Sequence, residues 1–95
     1  MVRDMNFKIQ EADHITMTYT GLLPGKKGSV VHLCFNRKKK NGEDFTEIVM
    51  PECKVLHNQG FSAEELEQLR IYAKANKTDI LEAAKKINHD LVFHL

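Results

Sequence analysis

A complete helix start stands at residues 61–66 and divides the chain into two unlike halves. Ser62 is placed to accept a hydrogen bond from the amide of Glu65, whose carboxylate can bond back to the amide of Ser62. Phe61 and Leu66 occupy the two positions of a hydrophobic staple around this capping box. Apolar residues alternate as in strands before it and repeat as in helices after it. We therefore expect an α+β fold.

Composition narrows the class of protein. With 95 residues, 42% hydrophobic and 28% charged, the chain is typical of one globular domain spanning residues 1–95. No apolar stretch approaches the roughly 20 residues that cross a bilayer, and the first five residues lack a signal-peptide pattern. Cys34 and Cys53 are too few for a disulfide scaffold and fit a reducing compartment. We expect a cytoplasmic protein with no membrane partner.

The strand-rich half, residues 5–50, contains two predicted hairpins. In the first, residues 5–10 and 15–20 alternate apolar and polar side chains on either side of a polar turn at 11–14. Both segments therefore have the pattern of half-buried antiparallel strands.

The second hairpin has a stronger turn signal. Asn41-Gly42 is the preferred two-residue type I′ loop, and it would set Lys39 opposite Asp44 and Phe35 opposite Ile48. That register gathers one apolar face, which comprises Val31, Leu33, Phe35, Ile48 and Met50. The other face is mixed and comprises His32, Cys34, Asn36, Lys38, Phe45, Glu47 and Val49. We expect the apolar face to lie against the helices.

The helical half spans residues 62–88. Its two apolar stripes comprise Leu66, Leu69, Tyr72 and Ala73, and then Ile80, Leu81, Ala84 and Ile87. Residues 76–79 indicate a break between them, and Asn88 and His89 mark the expected end. The apolar residues 91–95 predict a C-terminal strand that pairs with a sheet edge. The predicted architecture is an antiparallel sheet of four or five strands with a helical hairpin, or one kinked helix, on one face.

The first functional candidate is a basic stretch. Six cations lie between residues 26 and 40 with no acid among them: Lys26, Lys27, Arg37, Lys38, Lys39 and Lys40. A two-stranded ribbon with a basic tip can bind phosphates, with affinity arising from counterion release. Acids across the hairpin oppose this field, and charged tips also keep sheet edges soluble. Nucleic-acid binding is therefore an alternative function.

The second candidate is a metal site made of His32, Cys34, Cys53 and His57. His32 and Cys34 lie on one strand face, and the other two would join them if the partner strand continued past Pro51. Imidazole and thiolate are zinc ligands, but the spacing matches no zinc knuckle, and buried thiols with a surface histidine explain the same residues. We expect no cofactor, and keep a zinc-binding protein or enzyme as a second alternative.

The favoured function is a small binding module that acts through protein–protein contacts. Its predicted interface is the C-terminal strand, through Leu91, Val92, Phe93 and Leu95, which would form a homodimer by strand addition. An edge strand within one monomer is the competing interpretation. No catalytic residue is assigned, because no orienting acid accompanies the cysteines and histidines and a chain this short has little room for a deep pocket. Enzyme activity is left open.

Overall fold

An antiparallel sheet and two helices account for the secondary structure of the described residues. The computed structural model describes residues 3–7 and 14–93, with the side chains of residues 14–89. Its elements are β1 (Arg3–Phe7), β2 (Ile15–Tyr19), β3 (Leu23–Gly25), β4 (Gly28–Lys39), β5 (Gly42–Met50), β6 (Lys54–Gln59), α1 (Ala63–Ala75) and α2 (Lys77–Phe93). The strand order is β1-β2-β4-β5-β6, and the short β3 pairs with the start of β4. Both helices pack on one face, so the predicted α+β fold is confirmed.

The first hairpin is confirmed where the structure describes it. β1 pairs antiparallel with β2, and Met5 lies opposite Met17. The rest of the predicted first strand and most of its predicted turn, residues 8–13, lie outside the described residues.

The β4–β5 hairpin buries the predicted residues, although its register differs from the prediction by two positions. Arg37 lies opposite Asp44, and Lys39 lies opposite Gly42. A type I′ turn at Asn41-Gly42 requires positive φ at both residues, whereas Gly42 has a φ of 140° and Cys53 is the one non-glycine of the described chain with positive φ. The turn therefore falls at Lys40-Asn41, and the predicted pairing of Lys39 with Asp44 is wrong.

The core lies between the sheet and the two helices. Because a register shift of two residues keeps every side chain on its original face, the predicted inward face is confirmed. The buried apolar side chains are Ile15, Met17, Tyr19, Val31, Leu33, Phe35, Ile48, Met50, Cys53, Phe61, Leu69, Ala73, Ile80, Ala84 and Ile87. Leu66, Tyr72 and Leu81 pack partly buried against this cluster. Each helix thus contributes the stripe predicted for it.

The capping box is confirmed at the start of α1. The Ser62 hydroxyl accepts a hydrogen bond from the Glu65 amide at 3.2 Å, and the Glu65 carboxylate accepts one from the Ser62 amide at 2.9 Å. Phe61, the residue before Ser62, is buried. α1 ends at Ala75, and the break expected at residues 76–79 is present at Asn76. The predicted start of the helical half is therefore confirmed.

The predicted C-terminal strand is wrong for residues 91–93, because α2 continues through Asn88 to Phe93. The Asn88 side chain does not end the helix. Its Oδ1 accepts a hydrogen bond from the Leu22 amide at 2.7 Å, and its Nδ2 donates to the Leu22 carbonyl at 3.1 Å. Leu91 follows Ile87 by four residues, so the tail also fits a helical repeat. Leu95 lies outside the described residues.

Strand β6 is an element that the sequence did not predict. It runs antiparallel to β5 and forms an edge of the sheet, after a short connection at residues 51–53. Its residues, Lys54–Gln59, show no sustained alternation of apolar and polar side chains.

Neither described helix is long and apolar enough to cross a membrane.

Candidate functional site

The sheet face opposite the helices has no covering layer of described residues. Strand alternation turns one set of side chains onto it, and we call this surface the open face. It comprises Thr16, Thr18, His32, Cys34, Asn36, Lys38, Phe45, Glu47, Val49 and His57. All but the exposed Lys38 and His57 are half-buried by their neighbours on the sheet. The mixed character predicted for this side of the second hairpin is therefore present.

Three charged or titratable side chains meet on the open face across adjacent strands. Nδ1 of His32 on β4 lies 2.7 Å from Oε2 of Glu47 on β5, and Nε2 of His57 on β6 lies 4.0 Å from Oε1 of the same carboxylate. His57 is 72% exposed, whereas Glu47 is 20% exposed. Glu47 thus lies between the two imidazoles, within hydrogen-bond distance of His32 and farther from the more exposed His57. The sequence interpretation missed Glu47 as their partner, because only the strand register brings it between them.

Cys34 lies on the open face beside Glu47, its cross-strand partner. Burial and the Glu47 carboxylate both raise the pKa of the Cys34 thiol, against a smaller opposing effect of its hydrogen bond with Thr18. A raised pKa keeps the group as a thiol, whereas a nucleophilic cysteine needs a stabilised thiolate. The environment of Cys34 therefore favours a packing role.

The four predicted zinc ligands do not converge. His32, Cys34 and His57 lie on the open face, whereas Cys53 is 1% exposed in the core with its Sγ 3.4 Å from Met50 Sδ. No group of three or more potential ligands arranged to hold a metal occurs among residues 3–7 and 14–93. Zinc binding stays a prediction, but Cys53 lies on the opposite side of the sheet from His32, Cys34 and His57.

The basic stretch is divided by the length of β4. Lys26 and Lys27 form the turn before β4, while the other four cations lie at its far end. Ten residue steps at about 3.3 Å each separate Lys27 from Arg37 by on the order of 33 Å. Lys39 Nζ lies 3.0 Å from Asp44 Oδ1, so its charge is balanced locally. The six residues therefore do not form one continuous phosphate-binding surface.

Arg37 lies on the core side of β4 and joins the hairpin tip to the start of α1. Its guanidinium donates to Asp44 Oδ2 at 2.6 and 2.9 Å and makes two hydrogen bonds to Glu65, one of them at 3.2 Å. Its Cζ lies 4.7 Å from the Phe61 ring centroid, a cation–π contact. The three charged side chains are only 12%, 5% and 15% exposed. We call Arg37, Asp44, Phe61 and Glu65 the Arg37 clamp.

The clamp keeps both of its carboxylates ionised. Hydrogen bonds from Arg37 and then from the Ser62 amide lower the pKa of Glu65 to about 2. Burial alone would raise the pKa of Asp44, but hydrogen bonds from Lys39 and Arg37 outweigh it and lower that pKa. Gly60, at a φ of 97°, leaves room for this arrangement, since a Cβ there would stand 1.9 Å from Asp44 Oδ1. Arg37 is thus committed to a structural role.

A groove lies at the end of the open face that is remote from the clamp. Its volume is about 390 Å³, and it is formed by the β3–β4 turn, the connection after β5 and strand β6. The lining residues are Lys26, Lys27, Gly28, Ser29, Val30, Val49, Met50, Pro51, Glu52, Lys54 and Leu56. We call it the lysine-rimmed groove. The sequence did not predict it, because three separate segments contribute to it.

Comparison with protein-family models, with curated proteins and with solved structures finds no match for this chain. A function for the protein is therefore argued from the contacts, burial and charges of its own residues.

Proposed function

We propose that this protein is a small cytoplasmic module that binds another protein through the open face. The observation that carries the proposal is the one-sided packing of the helices, which leaves Phe45, Val49 and Cys34 half-buried on an uncovered sheet. An antiparallel sheet face that serves only to meet water is usually polar. Apolar side chains surrounded by polar and charged ones are instead typical of a protein interface.

The charges of the open face also favour a protein partner over a polyanion. Glu47 supplies a carboxylate at its centre, between the imidazoles of His32 and His57. A carboxylate at the centre of the surface repels a polyanion, whereas a polypeptide can donate hydrogen bonds to it. A phosphate backbone needs a positive field instead, and two of the six predicted cations, Arg37 and Lys39, are paired with Asp44.

The cytoplasmic assignment is supported by the state of the two cysteines. Cys34 and Cys53 are both free thiols on opposite sides of the sheet. Free thiols are typical of proteins in a reducing compartment. The binding partner is a polypeptide, and a second copy of this chain belongs to that class.

Site-specific photo-crosslinking in cells tests this proposal. Phe45→p-benzoylphenylalanine places the reactive ketone on the open face, and His57→p-benzoylphenylalanine places it on the neighbouring strand β6. We expect both variants to give adducts with the same protein, identified by mass spectrometry. An adduct with a second copy of the chain would identify self-association through this face.

The matched control is Ile71→p-benzoylphenylalanine. Ile71 is 58% exposed on α1, and its helix packs on the other side of the sheet. It should not give the adduct seen from the open face. An adduct from position 71 alone, or different proteins from positions 45 and 57, would overturn the proposal.

A further inference from the structure

We propose that the lysine-rimmed groove binds an acidic peptide segment in which an apolar side chain stands between carboxylates. This inference deepens the proposed function, and rests on it in taking the ligand to be a polypeptide. Two features of the groove carry it: an apolar floor that is left exposed and a rim of lysines that have no ion pair among the described residues. Its volume of about 390 Å³ lies within the range of pockets that hold small ligands or side chains.

The apolar floor is created by a bulge in strand β6. His57 pairs with Glu47, but Val55 pairs with Ile48, so Leu56 is an extra residue without a partner on β5. Bulges of this kind redirect a side chain and are frequent beside binding sites. Leu56 is 43% exposed and lines the groove together with Val30 and Val49. An apolar side chain placed there would remove apolar surface from water on both partners.

The rim of the groove is positive. Lys26, Lys27 and Lys54 line it against a single acid, Glu52. None of these three lysines makes an ion pair with another residue in the described part of the chain, whereas Lys39 does. Several ammonium groups around one groove attract carboxylates more strongly than a single lysine does. The rim therefore selects a ligand with more than one negative charge.

The combination distinguishes an acidic peptide from other anions. A nucleic-acid backbone would satisfy the lysines but would leave the floor around Leu56 and Val49 without an apolar partner. A lipid surface offers both chemistries, but a flat headgroup layer does not reach the floor of a concave groove between two turns. An extended peptide inserts one side chain and places carboxylates on either side of it.

Titration of the isotope-labelled full chain by NMR tests the proposal. The probe is a blocked synthetic hexapeptide with Leu-Phe between two pairs of aspartates, and the control peptide has asparagine in place of every aspartate. We expect saturable shifts at backbone amides of residues 26–30 and 52–56. The dissociation constant should be roughly tenfold higher for the control peptide than for the aspartate peptide. The dissociation constant of the aspartate peptide should rise as the salt concentration is raised.

Two matched triple variants test whether the lysines of the groove, rather than lysines elsewhere, bind the aspartate peptide. Lys26→Gln/Lys27→Gln/Lys54→Gln should weaken binding of the aspartate peptide by roughly tenfold, on the basis of three modest ionic contacts. Lys74→Gln/Lys85→Gln/Lys86→Gln, at exposed positions of the helices, removes the same charge elsewhere and should leave binding unchanged.

Equal affinity for the two peptides, equal weakening by the two variants, or shifts outside the groove would overturn the inference. The inference would also be overturned if the protein sedimented with anionic lipid vesicles but bound neither peptide. A negative peptide titration beside a common crosslinked partner from positions 45 and 57 removes the groove proposal alone. Peptide binding without those crosslinks removes the open face as the interface and leaves the groove.

Discussion

Arg37→Ala is expected to lower the free energy of unfolding by about 3–5 kcal/mol, the usual cost of removing one member of a buried ionic group. Arg37 donates to both Asp44 and Glu65, and Asp44 is buried. Without the guanidinium, Asp44 keeps its ion pair with Lys39. Glu65 then keeps only the hydrogen bond from the Ser62 amide among the contacts of the described residues. Urea denaturation followed by circular dichroism measures the loss.

The control for this substitution is the next residue along β4. Lys38→Ala removes the same charge from an exposed position, and its effect should stay within about 0.5 kcal/mol. Equal effects of Arg37→Ala and Lys38→Ala would mean that Arg37 is a surface cation of the basic stretch. The clamp would then have no energetic role.

Acid is expected to remove about 3 kcal/mol of stability through Glu65 as the pH falls from about 4.5 to about 2. The pKa of this carboxyl is about 2 in the folded protein, against an ordinary value of 4.5. Between these two values the unfolded chain binds more protons at this position, so lowering the pH favours unfolding. The difference of about 2.5 pKa units corresponds to about 3 kcal/mol, and the lowered pKa of Asp44 acts in the same direction.

Denaturation at pH 7, 5, 4, 3 and 2 measures this loss, with Glu65→Gln as the comparison. Glutamine retains the capacity to complete the capping box but cannot titrate. The variant should be less stable at neutral pH and should lose less stability in acid, so the two curves converge toward pH 2. Parallel curves would show that the clamp does not hold the Glu65 carboxylate in its ionised form.

The faces of the sheet were predictable from the sequence, whereas the turn was not. Strand periodicity assigns Leu33 and Phe35 to one side and His32 and Cys34 to the other under any even shift of register. The dipeptide signal at Asn41-Gly42 is compatible with more than one backbone conformation, and a single positive φ at Gly42 moves the pairing by two residues. The prediction of which side chains face the core was therefore correct although the predicted position of the turn was wrong.

The boundaries of some helices and strands could not be predicted, because they depend on contacts with residues far away in the sequence. Asn88 is a frequent terminator, but its amide bonds to the backbone of Leu22 on a distant loop. A short apolar run such as residues 91–93 suits a strand or a helix equally well, and tertiary anchoring decides between them. Strand β6 was missed because its single bulge disrupts the alternation that identifies a half-buried strand.

The candidate sites were predictable only in part, because they join residues far apart in sequence. Arg37 stands within a run of cations, and nothing near it indicates that Glu65 binds it. Leu56 and Lys26 share a groove although thirty positions separate them in the chain. The sequence shows which charged and apolar side chains the protein has. The strand register and the packing of the helices determine which of these side chains come into contact.

Thiol labelling of the native full chain most directly tests which side of the sheet is open. Cys34 lies on the open face, while Cys53 is 1% exposed beneath the helices. During exposure to iodoacetamide at mildly alkaline pH, peptide mapping by mass spectrometry over time should show slow modification at Cys34, whose pKa is raised, and still slower modification at the buried Cys53. Faster modification of Cys53, or equal rates at both positions in the folded protein, would contradict the arrangement on which the proposed interface depends.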